Sequence, residues 1–151
     1  KKDLLNKLAL IRQTNKKIVF TNGCFDVIHA GHIDYLQKAK KLGDILIVGL
    51  NSDASVSRLK GKDRPINNNN NRKKVLEALE CIDYVIIFNE DTPIKLIESI
   101  IPDVLVKGGD YSVKQIVGAD NVIENGGMVK TIKFYQDLSS SKILINQRQK
   151  K

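Results

Sequence analysis

A doubly wound α/β sheet, with parallel strands covered by helices on both faces, is the fold class the sequence predicts, and three observations predict it. Short continuous apolar runs rich in β-branched residues alternate with amphipathic stretches at helical spacing, as in sheets whose strands are buried on both faces. The polar motifs fall directly after those runs, where open α/β sheets bind their ligands. The 151 residues suffice for one substantial core and show no interdomain linker and no internal repeat, so residues 1–151 are read as a single domain.

The elements follow in order. From Asp3 to Arg12, Leu4, Leu5, Leu8 and Ile11 recur at helical spacing, and the polar break Thr14-Asn15-Lys16-Lys17 ends that helix before the strand Ile18-Val19-Phe20. A helix is expected over His32 to Leu42, then a strand at Ile45-Leu46-Ile47-Val48. The run Asn67 to Asn71 reads as a mobile polar loop, and because asparagine is a poor helix former the next helix is placed at Arg72 to Leu79. The strand Tyr84-Val85-Ile86-Ile87-Phe88 leads to a helix over Pro93 to Ile100, with Thr92 as its N-cap. Val104-Leu105-Val106 and a weaker Val129-Lys130-Thr131-Ile132 complete the strands, and a last helix is expected from Ser139-Ser140-Ser141 through Gln147.

Composition narrows the function classes. With 42% hydrophobic and 28% charged residues, the chain has an ordinary globular balance. No apolar run approaches the roughly 20 residues that span a bilayer, and the opening segment has no signal-type stretch, so a cytoplasmic protein without a membrane partner is expected. Cys24 and Cys81 read as reduced thiols in or beside the core. The net charge of +8 favours anionic partners, although much of the excess lies in Lys1, Lys2, Lys7, Arg148, Lys150 and Lys151, which read as solvated ends. A nucleic-acid module is disfavoured because only 5% of residues are aromatic and none is Trp.

The chemistry concentrates after the first strand. Thr21-Asn22-Gly23-Cys24-Phe25-Asp26 leaves that strand and leads to His29-Ala30-Gly31-His32, where a helix begins. A helix start offers free N–H groups and the positive end of the dipole, and Gly31 lets a phosphate approach the backbone. Two imidazoles there can donate hydrogen bonds to a phosphoryl group whose oxygens gain charge, without a covalent intermediate. The plain alternative is a pair of loop histidines. These are the chain's 2 histidines, both at the βα turn where such sheets bind nucleotide, which favours the functional reading. No third ligand of the right type accompanies them, so no protein-held metal is expected.

The pattern strand-Thr-Asn-Gly-Cys-Phe-Asp-x-x-His-Ala-Gly-His-helix resembles the HxGH nucleotidyltransferase superfamily, with its Rossmann-like, HUP-type fold. More closely, Thr21 to Asp26, Asn51 to Ser55, Arg58 to Gly61, Arg64-Pro65, Glu90 to Pro93 and Val106 to Tyr111 resemble the adenylyltransferase domain of ADP-heptose synthesis enzymes, over nearly the whole chain. The resemblance implies ATP, carrying Mg2+, and D-glycero-β-D-manno-heptose 1-phosphate as substrates. ADP-heptose, a lipopolysaccharide or surface-glycan precursor, and pyrophosphate would be the products. It further implies a homodimer and a sugar kinase as partner, fused or separate.

By the same resemblance His29, His32 and Lys60 are catalytic, and Asn22, Gly23, Cys24, Phe25, Gly31, His32, Lys62, Lys107 and Gly108 contact the nucleotide. Ser139, Ser140 and Ser141 match a hydroxyl-rich helix start that holds the β and γ phosphates. Asp26, Arg72, Gly109 and Asp110 are assigned to the acceptor substrate. Asp26 either orients a substrate phosphate's metal or caps the histidine turn, and Arg72 either faces substrate or lies on the helix surface. The five asparagines before Arg72 depart from the family pattern, which usually has a mixed segment with a carboxylate there. A cytidylyltransferase acting on glycerol 3-phosphate or another polyol phosphate shares the scaffold and the histidine pair, and is the rival within the enzyme class. A nucleotide sensor without activity should have lost a histidine, and both are present.

Overall fold

A computed structural model of the chain describes residues 2–109 and 112–133. Five parallel strands form one sheet: β1 (Ile18–Gly23), β2 (Ile45–Asn51), β3 (Tyr84–Phe88), β4 (Val104–Gly108) and β5 (Met128–Ile132), in the spatial order β3-β2-β1-β4-β5. The chain winds outward in one direction from β1 and then returns to wind the other way, so the strand order reverses between β1 and β4. The doubly wound expectation is met.

Period-two alternation sends neighbouring side chains to opposite faces. Ile18, Phe20, Ile47, Ile86 and Leu105 pack under α1 (Lys2–Arg12), α5 (Ile94–Ile100) and α6 (Ala119–Glu124). Val19, Leu46, Val48, Val85, Val104 and Val106 pack on the other face, against α2 (Ala30–Lys40) and α4 (Asn69–Glu77). β5 is the exception to burial on both faces: of its five residues, none is fully buried.

Several boundaries differ from the sequence reading: α2 runs Ala30–Lys40 where His32 to Leu42 is expected, and β1 and β2 extend further, to Gly23 and Asn51; two other differences have local reasons. The asparagine run is ordered: Asn68 is the N-cap of α4, its side chain accepting from the Asn71 N–H at 2.9 Å, so the helix opens inside the run. Capping is the use for which asparagine is suited, and it outweighs the residue's weak propensity. At α5 the cap position is Pro93, with no side-chain cap bond from Thr92. Also unforeseen were α3 (Asp53–Lys60), a short 3-10 turn at Val113–Gln115, and α6.

The pairing of β1 is unequal on its two sides. It runs beside β2 from Ile18↔Ile45 to Gly23↔Leu50, but beside β4 only at Val19↔Val104 and Phe20↔Leu105. Past Phe20 the halves of the sheet separate, and the crevice described next opens there.

Candidate active site

At the reversal point a crevice of about 540 Å³ lies beyond the carboxyl ends of β1 and β4. Asn22, Gly23, Cys24, Lys60 and Lys107 line it, so the structure brings these five predicted residues together. Around them it adds Asn51, Thr92, Gln115 and an apolar floor that includes Leu105, Val106 and Ile116.

Neither histidine lines this crevice; the histidine turn adjoins it, with Phe25 packed on His32 and the charge of the lining residue Lys60 acting on the His32 ring. His29 is the N-cap of α2, and its Nδ1 accepts the Gly31 N–H at 3.1 Å. The His29 N–H in turn donates to His32 Nδ1 at 3.2 Å. Serine with glutamate commonly fills this reciprocal arrangement. Here two imidazoles do so, with ring centroids 3.9 Å apart. Because each Nδ1 accepts a backbone proton, each neutral ring must carry its own proton on Nε2. The fold thus sets the tautomer, and Nε2 is the donor left for a ligand. His29 Nε2 is buried and has no acceptor among the described residues.

Electrostatics keeps both rings neutral. Burial lowers the pKa of His29, and burial, the neighbouring His29 and the Lys60 ammonium bring His32 down to about 4. Lys60 closes α3 and is exposed just before Gly61, whose φ of 105° turns the chain away. Its ammonium is a movable point charge at the crevice. Lys62, one turn further on, is exposed and does not line the crevice.

Gly23 and Phe25 pack against each other at the exit of β1. Phe25 has φ 47° and folds its ring back so that a Cβ on Gly23 would stand 2.8 Å from it. That ring also packs 5.4 Å from the His32 ring. Phe25 is therefore buried as a wall of the histidine turn, outside the crevice lining, and Gly31 is buried at the second helical position. Burial raises the Cys24 thiol's pKa, against the opposing charges of Lys60, Arg72 and Arg64.

Asp26 and Arg72, assigned to the acceptor substrate, are both bound into the chain by hydrogen bonds. Asp26 has no exposed side chain: Oδ2 accepts from Arg64 Nε at 2.7 Å and from the Ile66 N–H at 2.8 Å, and Oδ1 accepts the Asn67 N–H at 2.8 Å. Burial resists its ionisation, but these donors outweigh burial and hold the carboxyl below the ordinary range. Arg72 is 1% exposed and donates to the carbonyls of Asn67, Cys24 and Asn51 and to Asp53 Oδ1, at 2.7 to 2.8 Å. Both residues clamp the loops after β1 and β2 to the segment before α4. Both also line a second cavity of about 330 Å³, with Phe25, Asn67 and Asn71.

Gly108 ends β4, and Gly109 follows with φ 102°, its N–H donating to Ile132 O at 3.0 Å. A left-handed turn there fits glycine. Asp110 and Ser139, Ser140 and Ser141 lie outside the described residues.

Sequence reasoning missed two features that left signals. α3 carries a Ser52 N-cap, Asp53 in its first turn, and Arg58 and Lys60 in its last, the pattern of a helix complementing its own dipole. Arg64, part of the Arg64-Pro65 string in the sequence, has a side chain only 11% exposed and paired with Asp26.

A parallel sheet reversing at β1/β4, with a histidine-capped helix and two lysines at the resulting crevice, defines an α/β domain of the nucleotide-binding class. The sequence profile of the cytidylyltransferase-like family matches residues 20–145, and the chain belongs to that family. It is 55% identical over 141 residues to the bifunctional protein HldE of Citrifermentans bemidjiense, covering 93% of this chain and 29% of that protein. To the bifunctional protein HldE of Campylobacter jejuni subsp. jejuni it is 56% identical over 144 residues, 95% of this chain and 30% of the relative. The chain thus spans less than a third of the length of these curated relatives. The crystal structure of the lipopolysaccharide core biosynthesis protein from Thermoplasma volcanium is 32% identical, with a TM-score of 0.63 over 80% of this chain and 97% of that one.

Proposed function

We propose that the chain is a nucleotidyltransferase domain that transfers the adenylyl group of MgATP to a heptose 1-phosphate, releasing pyrophosphate and forming ADP-heptose. The observation that carries the reading is the reciprocal capping of His29 and His32, which leaves two neutral Nε2–H donors beside a nucleotide-sized crevice. The similarity to the HldE proteins and to a lipopolysaccharide core biosynthesis protein supports the sugar. So do the strings Thr21 to Asp26 and Lys107 to Tyr111.

In this reading a sugar-phosphate oxygen attacks the α-phosphorus of ATP, a new P–O bond forms, and the bond to the bridging oxygen breaks as pyrophosphate departs. Charge gathers on the α-phosphoryl oxygens during transfer. Donors positioned for that charge stabilise it without reorganising, and neutral imidazoles keep donating across the physiological pH range. Lys60 follows the leaving pyrophosphate as a mobile cation, with Lys62 and Lys107 near the triphosphate. Magnesium enters with ATP: among the described residues no three His, Cys, Asp or Glu are grouped to hold a metal, and Asp26 is spent on the scaffold. Mg2+ bound by phosphates and water suits that donor set.

The same reading makes residues 1–151 one domain working with a fused or separate sugar kinase, as a homodimer in the cytoplasm. No helix among the described residues is long and apolar enough to cross a membrane. The test is pyrophosphate release with ATP and CTP, each crossed with heptose 1-phosphate and glycerol 3-phosphate. Release with ATP and the heptose alone is expected. A preference for CTP, or silence with the heptose, overturns the assignment.

A further inference from the structure

Asn51 closes β2, lines the crevice and is only 4% exposed, so the way its amide faces decides what it can bind. Its neighbours settle that orientation. The buried Ser55 hydroxyl lies 3.0 Å from one end of the amide and 2.9 Å from the Glu90 carbonyl oxygen. A carbonyl oxygen only accepts, so the single hydroxyl proton of Ser55 goes to Glu90. Toward Asn51 the hydroxyl can then only accept, and the end of the amide that it meets is Nδ2. Oδ1 faces the other way.

Most of what Asn51 carries is spent on the chain. Its carbonyl oxygen accepts from Arg72 Nη1 at 2.8 Å, and Nδ2 donates to Ser55. Among the described residues Oδ1 has no hydrogen-bond partner, and it is not one of the unpartnered atoms sealed from solvent. It is the acceptor that Asn51 keeps for the crevice.

An acceptor there stands apart from its surroundings. Lys60 and Lys107 bring positive charge to the crevice, and Asp91, the acidic residue of the lining, is paired with Arg58. The phosphate oxygens that such cations suit have no proton to give, and the negative end of a carbonyl dipole repels them. An acceptor that a ligand strips of water is costly to leave unmatched, so the group that meets Oδ1 is a neutral donor. Leu105 and Val106 of β4 belong to the apolar floor that suits a planar base, whereas Asn51 ends β2, across β1 from β4, where α3 brings in Lys60. A sugar fits that place, between a base and its phosphates or beside them.

We propose that Asn51 is a sugar-binding residue whose Oδ1, aimed by Ser55, accepts a hydrogen bond from a substrate hydroxyl. The hydroxyl belongs to the ribose of ATP or to the heptose, and the ligands of the test separate the two. The inference rests on the adenylyl-transfer reading.

The variant is N51A, titrated calorimetrically beside wild type with pyrophosphate, ATP and heptose 1-phosphate. Affinity for at least one of the sugar-bearing ligands should fall about 3- to 10-fold, the scale of one neutral hydrogen bond, while affinity for pyrophosphate stays unchanged. A fall with heptose 1-phosphate assigns the acceptor sugar. A fall with ATP that persists with inosine triphosphate assigns the ribose, and one that disappears with inosine triphosphate, which lacks the exocyclic amino group, assigns the base and overturns the proposal. Unchanged affinity for all ligands, or an equal fall with pyrophosphate, overturns it as well. Should N51A not fold, the side-chain amide NMR signals of Asn51 in the wild type are followed through the same titrations. Signals that shift with a sugar-bearing ligand and not with pyrophosphate support the proposal, and any other pattern at saturation sinks it. Adenylyl transfer by the wild type is measured separately: its absence removes the proposed function, whereas hydroxyl recognition by Asn51 is read from the titrations.

Discussion

Two polar groups stand at the same edge of the sheet and are used in opposite ways. The histidine turn makes its local hydrogen bonds through Nδ1 and leaves Nε2 of both rings for another molecule. The Asp26 and Arg72 clamp spends nearly every donor and acceptor on the chain itself, tying Cys24, Asn51, Asp53 and Asn67 together. Proximity of charge to a binding crevice is therefore a poor guide to ligand contact. What separates the groups is how many hydrogen-bonding positions remain after the fold has taken its share.

The largest expected effect tests the clamp. R72A leaves three backbone carbonyls and Asp53 without their partner, and breaking such a buried charged network typically costs about 3–5 kcal/mol. Urea denaturation should show that loss, with activity falling as the loops part. A variant as stable as wild type but inactive would move Arg72 to the side of the histidines.

The histidine turn should respond in the opposite sense. H29A or H32A is expected to reduce turnover by about 100-fold or more, while losing only about 1 kcal/mol of stability with the helix cap. Steady-state kinetics beside thermal melting checks both numbers. Collapse of the fold with little kinetic defect in the surviving protein would make the turn a scaffold.

A smaller effect separates the two groups by pH. His32 has a folded pKa of about 4 against an ordinary 6.5, so the unfolded chain binds its proton first as the solution is acidified. Its contribution to stability is complete above pH 6.5, declines as pH falls toward 4, and levels off below; the shift corresponds to at most about 3 kcal/mol. Asp26 has the opposite chemistry and a lower window. Its carboxyl is held below the ordinary range, so its contribution persists above the unfolded carboxyl value and is lost only as pH falls through the folded one. Denaturation midpoints of wild type and H32Q between pH 7 and 4 should differ in slope, with the variant flatter. Equal slopes would show that His32 titrates normally.

Much of this was legible in the sequence because it rests on short-range rules. The strands were visible as apolar runs, and the histidine turn as a motif at a strand exit. The asparagine run was misread because propensity was weighed without capping, although Asn68 sits where a cap belongs. α3 went unread for the same reason in reverse: its Ser52 cap and charge gradient were present, but only Val56 and Ser55 are buried in it, so the apolar periodicity was faint. The roles of Asp26, Arg64 and Arg72 could not be read locally. Their partners lie far along the chain, Arg64 and Asn67 on Asp26 and Cys24 on Arg72, and only the fold decides which donors are left over.

The unequal pairing of β1 has a consequence for what the domain can admit. Where β1 and β4 stop running in step, at Phe20 and Leu105, the sheet parts like a wedge, and the depth of that wedge is fixed by strand register. Loops at the rim can change length or composition without making the opening deeper or shallower. The apex is made of main chain and core side chains, among them Phe20 and Leu105, which are almost fully buried. Selectivity at the rim can therefore drift with the loops while the gauge of the opening stays constant.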